Sequence, residues 1–282
     1  MDDEAKQCRE DDGLYLPEIK RHSLEKIRLH NRYSRIFADG MRKKWPQLAY
    51  VGLYSGAGRA RVVDTGEIVE TSALAVLRQP TPFTKYVFVD RDEQCTNALA
   101  TRIASLGTTQ DVSIITGDVN EKIWEVRETL PSFDKSKGLL SFCFVDPFDL
   151  QFRFDSIRAL SDFKMDFLVL LMLGVDGRRN FKQYLQDPSS TRIDDLIDCP
   201  DWRTQFAGSH DRNVIRFLLR KFDEAMTRLG YLSTGEELYH PVNVHNMRVL
   251  QYILTFYSKS QVGQKFWRES RASLSPQLGL PL

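Results

Sequence analysis

Between Leu48 and Leu173 the chain repeats one pattern: a short apolar run, a turn, then a stretch with helical spacing. The apolar runs are Leu48 to Tyr54, Tyr86 to Val89, Val112 to Ile115, Leu139 to Val145 and Phe167 to Leu173. Helical segments fall between them near Ser72 to Leu77, Glu93 to Ile103, Asn120 to Thr129 and Phe154 to Phe163. Strands separated by helices join through right-handed crossovers, so the pattern predicts an α/β fold built on a parallel sheet. Ahead of it, Ser23 is read as the N-cap of a helix that puts Leu24, Ile27, Tyr33, Ile36 and Phe37 on one face. Lys26, Arg28, Arg32 and Arg35 take the other face, and Gly40 with Trp45-Pro46 closes the helix. After Gly174 the chain turns helical, and two extended runs follow, with Val249 to Tyr257 the clearer. This gives one domain over 14–272 with a helical insertion at about 178–229, between an acidic tail, 1–13, and a C-terminal tail, 273–282.

With 42% apolar residues in 282, the chain has enough side chain to build a large core. Lys and Arg number 39 against 38 Asp and Glu, so any contact with nucleic acid has to be a local patch. The run Phe167 to Leu173 is far shorter than the ~20 residues that cross a bilayer, and no membrane role is expected. Asp2, Asp3 and Glu4 stand where a secretion signal carries positive charge, which points to the cytoplasm. Cys8, Cys95, Cys143 and Cys199 show no Cys-x-x-Cys spacing and the five histidines no His-x-x-x-His, so no metal is expected. His240 and His245 are the histidines that could line a crevice.

In an open α/β sheet, ligands bind beyond the carboxyl ends of the strands, where the strand order reverses. Four strand ends here carry suitable residues. Ser55-Gly56-Ala57-Gly58 follows the first run, and its glycines let backbone approach a ligand. Asp90 ends the second run, where a carboxylate can accept both hydroxyl protons of a ribose, and Asp118 follows the third, where it could accept from an adenine amino group. The fourth run leads into Asp146-Pro147-Phe148, an acid, a rigid turn and an aromatic ring. Taken singly, the glycines also describe a plain tight turn, each aspartate a helix cap and Phe148 a core residue. A nicotinamide fingerprint fails, because Gly58 is followed by Arg59, Ala60 and Arg61 and Asp90 comes 32 positions after Gly58, beyond a hairpin around Asp64-Thr65-Gly66. A phosphate-binding P-loop fails for want of Gly-Lys-Ser or Gly-Lys-Thr.

Glycine turn, acid, acid and Asp-Pro-Phe at four successive strand ends resemble the class I methyltransferases that use S-adenosylmethionine. More narrowly, the chain resembles the three-Cys-motif partner family. The features that carry this are Lys26 and Tyr33 in the first helix, Tyr54-Ser55-Gly56-Ala57-Gly58, Val89-Asp90, Val145-Asp146-Pro147-Phe148, Tyr257-Ser258-Lys259 and Phe266-Trp267, spanning roughly Leu16 to Trp267. The resemblance implies a Rossmann-like sheet whose last strand is antiparallel, S-adenosylmethionine as cofactor and a protein partner with a three-cysteine motif. It implies that Ser55, Gly56, Ala57 and Gly58 meet the cofactor's amino-acid half, Asp90 its ribose and Asp118 its adenine. Asp146, Pro147 and Phe148 would then orient the acceptor. The amino-methyltransferase signature has two prolines where this chain has only Pro147, which leaves an exocyclic amine as one acceptor among others. The insertion is expected to close over the crevice, with Arg178, Arg179 and Lys182 as substrate-binding candidates, able to track a phosphate backbone or simply to form a solvated helix face. A non-catalytic cofactor-binding subunit of a larger system is the competing class.

Overall fold

The computed structural model describes residues 7–8, 11–131, 138–210, 213–243 and 250–272. Seven strands, β1 (Gln47–Leu53), β2 (Lys85–Asp90), β3 (Asp111–Thr116), β4 (Leu139–Val145), β5 (Met165–Leu171), β6 (His240–Asn243) and β7 (Leu250–Tyr257), form one sheet in the order β3-β2-β1-β4-β5-β7-β6. β1 to β5 pair in parallel, and β7 runs antiparallel to both β5 and β6. This is the Rossmann-like methyltransferase sheet with its antiparallel last strand. β1 pairs with β2 on one side and β4 on the other, so the strand order reverses there, and the ends of β1 and β4 at Leu53 and Val145 mark the place where open α/β sheets bind ligands.

Among the described residues ten α-helices surround the sheet: α1 (Ser23–Met41), α2 (Ser72–Leu77), α3 (Glu93–Ser105), α4 (Val119–Thr129), α5 (Phe154–Leu160), α6 (Arg178–Gln186), α7 (Arg192–Ile197), α8 (Trp202–Gly208), α9 (Val214–Arg228) and α10 (Gln261–Ala272). Alternation along the strands gathers most of the sheet's rings on one face and mostly aliphatic groups on the other. Tyr50, Tyr86, Phe88, Phe142, Phe144 and Phe256 pack with Tyr33 and Phe37 of α1 and Trp267 of α10. Ala49, Val51, Val87, Val89, Cys143 and Val145 pack with α4, α5 and α9. On the aromatic side the Tyr33 hydroxyl donates to buried Asp166 on β5 at 2.7 Å. Burial lifts the Asp166 carboxyl to about 6, against the pull of bonds from Ser258 and Tyr33.

A second sheet is inserted between β1 and α2. The hairpin Arg59–Val62 to Ile68–Glu70 turns at 63–67, as the sequence predicts, and pairs outward with Glu18–Ile19 and Gln7–Cys8. Two parts of the expected loose tail are therefore tied down. Gln7–Cys8 is a strand, and Asp11 and Asp12 bond Arg61, Arg59 and Arg102, because acids beside three fixed guanidinium groups gain more by pairing than by staying solvated.

Other expectations also change. His22, not Ser23, occupies the N-cap of α1, since the Ser23 N–H already donates to the Lys20 carbonyl and the chain is turning before the helix begins. β5 ends at Leu171 rather than Leu173, and residues Leu173–Gly177 wind into a π-helical turn. Gly174 is needed there because a Cβ would lie 2.1 Å from the Leu250 carbonyl oxygen. The stretch 178–229 is not a single insertion. α9 is the crossover that covers the aliphatic face, burying Phe217, Leu218, Phe222, Ala225 and Met226, and only α6 to α8 are additional.

Candidate active site

The crevice is built on backbone geometry at the end of β1. Tyr54 has φ of +63°, rare for a bulky side chain, and the turn continues through Gly56 at +63° and Gly58 at +81°. The two glycines do different jobs. A Cβ on Gly56 would meet nothing within 4 Å, whereas one on Gly58 would lie 2.8 Å from Leu74 and Leu99. Gly58 thus serves packing and Gly56 borders open space. Ala57, expected beside a ligand, is fully buried against Cys95 and Ala98 of α3. Ser55 is also buried, its Oγ donating to the Gly52 carbonyl at 2.7 Å and accepting from the Val89 N–H at 3.1 Å, which ties β1 to β2. Of the four turn residues assigned to the cofactor, Gly56 alone has open space where a side chain would stand.

Asp90 joins this turn to the next strand. Its Oδ2 accepts from the Gly56 N–H at 2.7 Å and its Oδ1 from the Asp92 N–H at 3.0 Å, with the residue only 5% exposed. A buried carboxylate held by two backbone donors at the switch point is a fixed acceptor with lone pairs left over for ligand hydroxyls. Asp118 caps α4, its Oδ1 accepting from Asn120 N–H at 2.8 Å, so the cap reading holds at this position. Between these acids stands Tyr54, whose ring meets Phe152 edge-on. Burial raises the Tyr54 phenol well above its ordinary value, and the negative charges of Asp118, Asp149 and Asp90 push the same way.

The end of β4 differs most from expectation. The Asp146 N–H donates to the Leu53 carbonyl at 3.2 Å, placing Asp146 against the end of β1. Its carboxylate lies 2.7 Å from Lys26 Nζ through either oxygen, with side-chain exposures of 15% and 17%. Helical spacing alone puts Lys26 on a solvent-facing side. The first turn of α1 overhangs the strand ends, so what faces water further along the helix faces the crevice here. Around the pair, Glu25 Oε1 lies 2.6 Å from His240 Nε2, the Tyr252 hydroxyl donates to the His22 carbonyl at 3.1 Å, and Lys26 lies 5.9 Å from the Tyr252 ring centre. Glu25, Lys26 and Tyr252 carry no local signal of their own, although Lys26 is among the features of the resemblance. Pro147 is buried, and Phe148 is 74% exposed rather than a core ring.

A polar cavity of about 570 Å³ opens one residue beyond Phe148, between Asp149 and Gln151 on one side and Asn180, Gln183 and Tyr184 of α6 on the other. A cavity of about 780 Å³ lies between α8, α9 and the turn at 235–239, away from these strand ends. On α6, Lys182 is exposed, while the side chains of Arg178 and Arg179 lie outside what the structure describes, as does His245. Phe181 and Tyr184 turn inward, and α6 faces the loop after β4 across the smaller cavity. Among the described residues no cluster of His, Cys, Asp or Glu could hold a metal, and no helix is long and apolar enough to cross a membrane.

The strand order and the antiparallel β7 are those of the Rossmann-like class I methyltransferase fold. No family model matches the chain, and no curated protein matches it. Solved structures similar to it include protein LPL1258 from Legionella pneumophila, 12% identical with a TM-score of 0.46, the match covering 87% of this chain and 90% of that one. Another is the O-methyltransferase from Bacillus cereus in complex with SAH, 10% identical with a TM-score of 0.45, covering 84% and 87%. Cofactor-bound Rv0187 from MTB is 11% identical with a TM-score of 0.44, covering 82% and 80%. These are likenesses of fold.

Proposed function

We propose that the chain is an S-adenosylmethionine-dependent methyltransferase of the three-Cys-motif partner type, acting in the cytoplasm with a three-cysteine protein as partner. The observation that supports this best is the union of Asp90 with Gly56: a buried carboxylate and an open glycine, locked together at the switch point. The residues fit the cofactor. Asp90 accepts from the ribose hydroxyls, the open side of Gly56 admits close backbone approach, and Asp118 and Tyr54 border the adenine. The bound cofactor supplies a methyl already activated on a sulfonium, so the protein's task is to hold the acceptor in line, and positioning can supply much of the acceleration. Phe148 offers an exposed ring for a planar acceptor, and the carboxamides of Gln151, Asn180 and Gln183 border the cavity next to it. An exocyclic amine of a nucleobase suits that ring and those amides, with Asp146 sharing its carboxylate between the acceptor and Lys26.

Titration calorimetry with S-adenosylhomocysteine is expected to give binding in the micromolar range. No heat and no thermal shift at millimolar ligand would remove the cofactor reading. For a nucleic-acid acceptor, replacing Arg178, Arg179 and Lys182 with Ala is expected to lower affinity and flatten its salt dependence, by ~0.9 in slope for each duplex phosphate that is no longer neutralised. Unchanged affinity across a salt series would leave a small molecule or a protein side chain as the acceptor.

A further inference from the structure

Arg102 on α3 is 4% exposed, and its donors are spent on one junction. Nε and Nη2 hold both oxygens of Asp12 at 2.8 Å, and Nη1 donates to the carbonyls of Tyr15 at 3.0 Å and Ala57 at 2.6 Å. Arg59 adds a third bond to Asp12 at 3.0 Å. One guanidinium nitrogen therefore fastens Tyr15 to the residue after Gly56. Leu14 packs on Ala57, Cys95 and Ala98, and the chain continues into a bond from the Arg61 N–H to the Pro17 carbonyl at 2.9 Å. The segment is clamped from both ends, yet the Tyr15 side chain at its centre is 42% exposed. A buried charge satisfied by four bonds is a costly device for holding a surface loop, and its effect is to fix Tyr15 beside the cofactor turn.

We propose that Tyr15 is a binding residue for the ribose of S-adenosylmethionine, forming the outer wall of the crevice opposite Asp90, with Arg102 and Asp12 as its positioning residues. The inference rests on the cofactor reading above. Arg102 Nη1 joins the Tyr15 carbonyl to that of Ala57, the neighbour of the Gly56 whose N–H donates to Asp90, so Tyr15 is anchored on the Asp90 side of the turn, away from the Lys26–Asp146 pair at the end of β4.

The test uses the full chain with two probes, S-adenosylhomocysteine and 5′-methylthioadenosine, which keeps the ribose and lacks the amino acid. Tyr15→Ala is expected to weaken both by the same factor, about tenfold, with an unchanged melting temperature. Tyr15→Phe is expected to retain most of the affinity, and Asp12→Asn to weaken both probes without touching any ligand-facing group. Wild-type affinity for both probes in Tyr15→Ala would overturn the proposal, as would a loss confined to S-adenosylhomocysteine. If the unaltered protein binds neither probe, the cofactor reading itself falls and this inference with it. A melting temperature that falls in step with affinity in Tyr15→Ala would assign Tyr15 a structural role and overturn the proposal too.

Discussion

Asp90 serves two backbone donors, and that double duty sets what its replacement does. Asp90→Ala is expected to weaken S-adenosylhomocysteine by about 1–3 kcal/mol, since it removes the ribose acceptor and frees the Gly56 N–H that the carboxylate holds in place. Calorimetry of the variant against the unaltered protein measures this directly. Asp146 is expected to behave in the opposite way. Asp146→Ala should bind the same ligand within about twofold while abolishing transfer, because its carboxylate faces Lys26 and the acceptor side. A double-mutant cycle with Lys26→Met and Asp146→Asn, read by urea unfolding, should give a coupling of about 1–2 kcal/mol, appropriate to a mostly sequestered pair. A coupling near zero would mean that the two side chains do not sustain their ion pair.

At the scale of elements, the turn after β1 separates two glycines that look alike in sequence. Gly58→Ala adds a Cβ 2.8 Å from Leu74 and Leu99 on a backbone at φ +81°, and is expected to cost about 3 kcal/mol of stability. Gly56→Ala carries only the backbone strain, about 1 kcal/mol, and should show its effect in ligand affinity instead. Thermal melts and calorimetry on the pair would reverse these assignments if Gly56→Ala unfolded first. Sequence alone places this turn but does not divide its labour, because the neighbours of Gly58 lie on α2 and α3, distant in the chain. For the converse reason β4 and α2 are legible to the residue, since local pattern decides them. The Lys26–Asp146 pair is not, because it joins residues 120 positions apart through the overhang of a helix turn. Asp12 looks like a solvated acid in sequence because Arg102, which binds it, lies 90 positions away.

Across the whole molecule, two aspartates give stability opposite responses to pH. The Arg102 bond is the main cause holding Asp12 down at about 2, so its contribution is complete above the ordinary value of 3.8 and is lost as pH falls towards 2. With the side chain 24% exposed, about 1 kcal/mol is at stake. Asp166 is raised to about 6 by burial, so the stability gained from its neutral form is present below 3.8 and lost as pH rises through 6. Asp166→Asn should therefore melt with the unaltered protein below pH about 3.8 and above it at pH about 8. Thermal melts at the two pH values that showed no divergence would mean that Asp166 titrates where an exposed aspartate does.

The place of β7 in the sheet also orders the molecule in time. β7 lies between β5 and β6, and among the described residues β6 pairs with no other strand. A chain emerging from the ribosome delivers β6 before its only neighbour exists, and folding of the N-terminal part can precede it. Until residues 250–257 emerge, β5 presents an open edge of unpaired backbone N–H and C=O groups, a template for the wrong strand. β7 thus seals this edge of the sheet only after β1 to β6 have been made, and a nascent chain paused just before Leu250 would be the form most in need of a chaperone.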